Sequence, residues 1–238
     1  MDKTYRERLQ IRKELIQRER HETLACNPKA VPAVLELYKW LTSTYLPVRF
    51  PSIYTPAGLD LRNNITGDLL PMHLTSTDAD LALQLLGENI DTEFLLLLPS
   101  DEPKDAHKYR LEAFMNCFPS GFNTREKLNL LLADIHGPVP GYQQKLEKSM
   151  DRFFAALQVG RIVKRVNWSI STNGELFCLK GNHMSEEEMA AKGGEEDIDL
   201  SRTVLRCERQ TLHRLPESRA LVFAFVSRSY LSVVHAHM

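Results

Sequence analysis

The stretch that decides the fold is TVLRCERQTLHRLPESRALVFAFV, residues 203–226. Residues 203–215 and the apolar run 220–226 flank Pro216-Glu217-Ser218-Arg219, so the stretch reads as two antiparallel strands joined by a turn. Period two sets Arg206, Glu208 and Gln210 on one face of the first strand and Arg209, Thr211 and His213 on the other. A strand beside the apolar segment 221–225 should bury one face, yet both faces carry charge or hydrogen-bonding groups. Either one face lines a polar cavity, or this is an edge strand with solvated ion pairs. The pattern leaves both open.

Upstream, residues 161–170 alternate Ile162, Val166 and Trp168 against Arg165, Asn167 and Ser169. They read as a strand ending at Thr172-Asn173-Gly174, with 175–179 as its hairpin partner. Residues 185–197 are acidic and read as a solvated loop. Before these strands the periodicity is helical. Residues 4–22 predict an exposed helix with a thin stripe of Tyr5, Leu9 and Ile16. Asn27-Pro28 opens another, with Val31, Val34, Tyr38, Leu41 and Tyr45 on one face, ended by Pro47, Pro51 and Pro56. A turn at 63–67, a helix over 78–90 and strands at 94–98 and 109–117 follow. Asn123 and Glu126 have capping-box spacing, which predicts a helix with Leu128, Leu131, Leu132 and Ile135 inward. It stops at His136 before Gly137-Pro138. Tyr142, Leu146, Met150, Phe153 and Leu157 mark one more helix. Helices first and an antiparallel sheet afterwards make the class α+β.

Composition narrows the function. The 238 residues hold 30 Lys+Arg against 31 Asp+Glu, so charge supplies no reason to expect nucleic acid or an anionic membrane as partner. The longest apolar run, at 94–98, falls far short of the roughly 20 residues of a span. A densely charged start without an apolar stretch, and Cys26, Cys117, Cys178 and Cys207 without a CxxC pair, predict a cytoplasmic chain with reduced thiols. Neither GxGxxG nor GxxxxGK[ST], GxSxG or HExxH occurs.

Histidine context remains. His136 ends an amphipathic helix against a Gly-Pro-Val-Pro-Gly corner. Such a rigid imidazole suits a metal or haem iron, provided its second nitrogen is oriented by a partner. The residues alone favour the commoner reading, a helix-ending histidine interacting with the helix dipole. His183 reads as a loop residue, and His235 and His237 as part of a disordered tail.

The ordered series FPSGF (118–122), IHGPVPGY (135–142), VNWS (166–169) and ERQTLHRLP (208–216) resembles the haem-dependent oxidative N-demethylase family, with similarity densest over 109–225. The resemblance implies a PAS-like antiparallel sheet with N-terminal and flanking helices around a b-type haem (haem b). It implies a helical segment at 1–60 packed on a haem-binding domain at 61–226, with a divergent tail at 227–238. It implies a monooxygenase that demethylates a small-molecule secondary amine, in a fungal member within secondary metabolism, using O₂ and electrons from an external reductase. Carried over by motif, His136 becomes the axial ligand of the iron. Pro138, Tyr142 and Trp168 join it as cofactor-binding residues, and Arg206, Glu208 and Gln210 become the catalytic polar groups. Against the family pattern the chain stops early after Phe225, which predicts a truncated C-terminal part. Two alternatives therefore stand beside the enzyme: a haem-binding PAS-like sensor, and a truncated, non-catalytic remnant.

Overall fold

A computed structural model describes residues 3–137, 142–171, 174–180 and 203–231. Its helices are α1 (Tyr5–Arg18), α2 (Arg20–Thr23), α3 (Val31–Trp40), α4 (Leu46–Arg49), α5 (Ala79–Asn89), α6 (Thr124–Lys127), α7 (Leu132–Ile135), α8 (Tyr142–Lys145) and α9 (Glu147–Ala156). Its strands are β1 (Leu24–Cys26), β2 (Tyr54–Ala57), β3 (Asp60–Asn63), β4 (Leu69–Pro71), β5 (Glu93–Pro99), β6 (Tyr109–Met115), β7 (Val163–Ser171), β8 (Val204–Arg214) and β9 (Leu221–Leu231). Six of these strands form one sheet in the order β1-β6-β5-β9-β8-β7, every neighbouring pair antiparallel. A small sheet, β2-β3-β4, stands apart. The class is α+β.

The central sheet has two differently clothed faces. On one, Leu96, Ala113, Val222 and Ala224 pack under Leu37, Tyr38, Leu83 and Leu86 of α3 and α5. On the other, Leu95, Phe114 and Phe225 meet Ile135 of α7, and Leu97, Leu212 and Leu221 meet Phe154 of α9. Arg214 ties α9 to this second face: its guanidinium donates to the carbonyls of Phe154 at 2.6 Å and Leu157 at 2.7 Å, satisfying the helix end. Core residues lie on both sides of residue 60, so the N-terminal helices and the sheet share one apolar interior.

Helix α1 departs from the exposed helix its charge density predicts. Tyr5, Leu9 and Ile16 are buried, and so are Arg8 and Arg12 on the same stripe. Arg8 pairs with Asp91 at 2.8 Å, and Arg12 pairs with Glu93. Arg12 also donates to the carbonyls of Gly87 and Thr92. Both guanidiniums lie over the Phe118 ring. Burying a cation is tolerable here because every guanidinium nitrogen of Arg12 meets an acceptor.

Other boundaries shift for identifiable reasons. The expected helix from 124 to 136 is two short helices. Leu128 is extended, Asn129 takes a φ of +70°, and β6 captures the intervening backbone through Asn129 N to Leu111 O and Leu111 N to Leu130 O. Asn123 caps α6 as its spacing predicts, Oδ1 accepting from the N–H groups of Arg125 and Glu126. Pro47 does not stop the second helix: a π turn at Leu41–Tyr45 precedes it, and it sits in the first turn of α4. Residues 175–179 form no strand, and β7 pairs instead with β8 along nine residues. Strand β9 continues to Leu231, five residues past Val226. The acidic segment 185–197, His183, Pro138, His235 and His237 lie outside the described residues. All four cysteines are free thiols. Among the described residues, no helix is long and apolar enough to cross a membrane.

Candidate functional site

The antiparallel register brings the polar residues of β7, β8 and β9 into one array on the face that α7 and α9 cover. Gln210 stands between Arg165 and Phe225, Glu208 between Asn167 and Ser227, and Arg206 between Ser169 and Ser229. Arg165 Nε donates to Gln210 Oε1, and Gln210 Nε2 donates to Glu208 Oε2 at 2.9 Å. The Ser227 hydroxyl donates to Glu208 Oε1 at 3.3 Å. Arg206 is turned inward: it donates to the Phe118 carbonyl at 2.6 Å and to Ser227 Oγ at 3.1 Å. Its Nε has no hydrogen-bond partner among the described residues and lies 3.7 Å from Glu208 Oε1. Burial pulls the Arg206 guanidinium below its ordinary pKa, the Glu208 charge opposing this. So of the three expected catalytic groups, Arg206 braces the strand, while Glu208 and Gln210 form the network that reaches the surface through Arg165.

His136 lies at the same face. It follows Ile135, which packs on Phe225, the β9 neighbour of Gln210. Its Nδ1 is 2.8 Å from the Leu132 carbonyl oxygen. A carbonyl only accepts, so Nδ1 carries the proton and Nε2 keeps its lone pair. The ring stacks on Tyr142, centroids 4.7 Å apart and planes 11° apart. Burial lowers the imidazole pKa and the Arg165 charge adds to this, against the Leu132 hydrogen bond. The ring is therefore neutral at pH 7, the form that binds a metal. Tyr142 is itself buried, its phenol raised to about 12 chiefly by burial.

Trp168 does not join them. It pairs with Cys207, on the opposite face of the sheet, and is largely exposed. His213, also on that face, packs against Trp40 at 5.5 Å, its Nε2 without a partner among the described residues. The sequence reading missed Arg165 as a member of the site. Its alternation with Val166 was visible, but the contact with Gln210 depends on the β7–β8 register. Two hollows, of about 260 and 430 Å³, lie elsewhere: one beside Tyr38 and His73, the other between α1 and Ile65.

What this arrangement offers is one neutral, oriented imidazole, within the field of Arg165, and a carboxylate–amide–guanidinium chain on the same face of the sheet. Among the described residues no group of three or more His, Cys, Asp and Glu side chains is placed to hold a bare metal ion. A haem would need one imidazole nitrogen from the protein, and the unprotonated Nε2 of His136 is a donor that could supply it. A family model described as haem-dependent oxidative N-demethylase, alpha subunit-like, matches residues 1–236, passing through the segment 227–231 in which β9 continues. The chain belongs to the haem-dependent oxidative N-demethylase alpha subunit-like family.

Proposed function

We propose that the chain binds haem b through His136 Nε2 and removes a methyl group from a small secondary amine. The observation that carries the reading is the His136 imidazole, pinned by Leu132 and left with a free Nε2 electron pair, in a chain whose family is haem-dependent. When bound, the haem supplies dioxygen binding and activation at its iron, with electrons from a separate reductase. The overall change is a secondary N-methylamine, O₂, two electrons and two protons to the primary amine, formaldehyde and water.

The chain's own residues bind and orient. Leu132 fixes the His136 tautomer, and Tyr142 holds the ring plane. Glu208, 16% exposed at its side chain, is the acceptor for a substrate ammonium. Gln210, clamped by Arg165, keeps Glu208 aimed by donating to Oε2. A PAS-like description of the sheet, a cytoplasmic setting and an amine from secondary metabolism belong to the same proposal. Its test is formaldehyde release from a panel of N-methyl amines by the haem-loaded chain with O₂ and a generic reductase. Formaldehyde equimolar with primary amine supports it, with KM raised in Glu208→Gln. Bound haem without formaldehyde on any amine supports a non-catalytic haem protein instead.

A further inference from the structure

We propose, resting on the haem reading above, that the Trp168 face of β7 and β8 is where an acidic electron-donor protein docks to supply the reaction's two electrons. Val166 is 73%, Trp168 64% and Ile170 68% exposed, and the exposed Leu205 and Tyr230 continue the patch across β8 and β9. A contiguous apolar patch of this kind marks an interaction surface. A tryptophan at its centre is the residue type that most often anchors a protein interface.

Charge sets the partner's chemistry. On this face β7 and β8 carry Lys164 and Arg209, both exposed, and no carboxylate. Between residues 152 and 174 the chain holds Arg152, Arg161, Lys164 and Arg165 without one Asp or Glu. An acidic surface complements such a rim and is steered to it, whereas a second copy would set cation against cation. Five apolar side chains suit the small interfaces of transient redox encounters, below about 1,200 Å². Position then names the task. Glu208, Gln210 and Arg165 occupy the other face of the same two strands. A donor seated on the Trp168 patch is therefore separated from the site by one sheet layer, about 10 Å thick. For each methyl group removed, two one-electron donors are oxidised and two protons enter from water. One atom of O₂ leaves in formaldehyde and the other in water.

The probe is an acidic two-iron ferredoxin, reduced and mixed without O₂ with the ferric, haem-loaded full chain in a stopped-flow instrument. The second-order rate of haem reduction falls about tenfold or more as salt rises from about 0.02 to about 0.5 M. At low salt the double variant Lys164→Glu, Arg209→Glu slows it by a similar factor, and Trp168→Ala slows it at every salt. The Soret band and the rate of photoreduction by a small deazaflavin, which needs no docking, stay unchanged in both variants. A chain that takes up haem but is not reduced by ferredoxin, or is reduced at a rate indifferent to salt and to both variants, overturns the docking surface and leaves the haem reading standing. Slowing that deazaflavin photoreduction shares equally overturns it too, as does capture by anionic lipid vesicles with no effect on ferredoxin. A wild type without a Soret band overturns the haem reading and the electron-donor role with it.

Discussion

Replacing Arg12 by Met tests whether α1 is built into the core by charge. The Arg12 side chain is fully buried, and its partner Glu93 is 1% exposed. Arg12 also donates to Gly87 O at 2.7 Å and Thr92 O at 2.9 Å, while Glu93 Oε2 accepts from the Cys117 N–H at 2.7 Å. Met matches the aliphatic stem but leaves one buried carboxylate without its cation and two carbonyls without donors. Breaking a buried pair from one side costs about 3–5 kcal/mol, a large part of the roughly 5–15 kcal/mol that holds a domain together. For a chain of this length that lowers Tm on the order of 10 °C. Adding Glu93→Leu removes the stranded charge, so part of the loss returns. It does not all return, because the Cys117 N–H then joins the orphaned groups. Urea unfolding followed by tryptophan fluorescence measures both variants. A single-variant loss below about 1 kcal/mol would refute the reasoning, since it falls under even the weakest value for such a pair.

Gly87→Ala should destabilise by about 1–3 kcal/mol. A Cβ there would lie 2.6 Å from Ile16 Cδ1 and 2.9 Å from Met115 Sδ. Adding Ile16→Val, which removes that methyl, should recover part of the loss, and no recovery in the urea midpoint counts against the packing described. Asp91 accepts from Arg8 and Arg228, each at 2.8 Å. Burial alone would raise its pKa, but the Arg8 hydrogen bond and the Arg12, Arg8 and Arg228 charges hold it below the ordinary 3.8. The unfolded chain therefore takes up this proton first: the stabilisation is full above pH 3.8 and is lost as pH falls through the lower folded value. Asp91→Asn should lower stability near neutrality and flatten the acid limb of the stability–pH curve; an unchanged acid limb would count against it. Asn123→Ala should cost about 1 kcal/mol through the lost cap of α6, read from the same urea midpoints, and a neutral variant would show the cap to be idle.

What could be read from the sequence was whatever depended on local chemistry. The Asn123 cap, the turn at 63–67 and the shared face of Arg206, Glu208 and Gln210 follow from residue spacing alone. Features governed by distant partners were hidden. Arg8 and Arg12 looked like solvent-facing charge because Asp91 and Glu93 lie about eighty residues away. Leu128, Leu131, Leu132 and Ile135 kept helical spacing, yet β6 took the backbone between the two helices. Trp168 looked inward-facing by alternation, but among the described residues no layer covers its side of β7. At the site, the identity of His136 was visible in its proline-flanked motif. Its tautomer and its stacking on Tyr142 were not, since the first depends on the rotamer that meets the Leu132 carbonyl and the second on where α8 sits.

The most direct test of the central claim is the visible absorption spectrum of the haem-supplemented chain beside that of His136→Ala. The account predicts a Soret band in the wild type that is lost or shifted in the variant, with the far-UV spectrum unchanged. No Soret band in the wild type, or an identical band in His136→Ala, would contradict it.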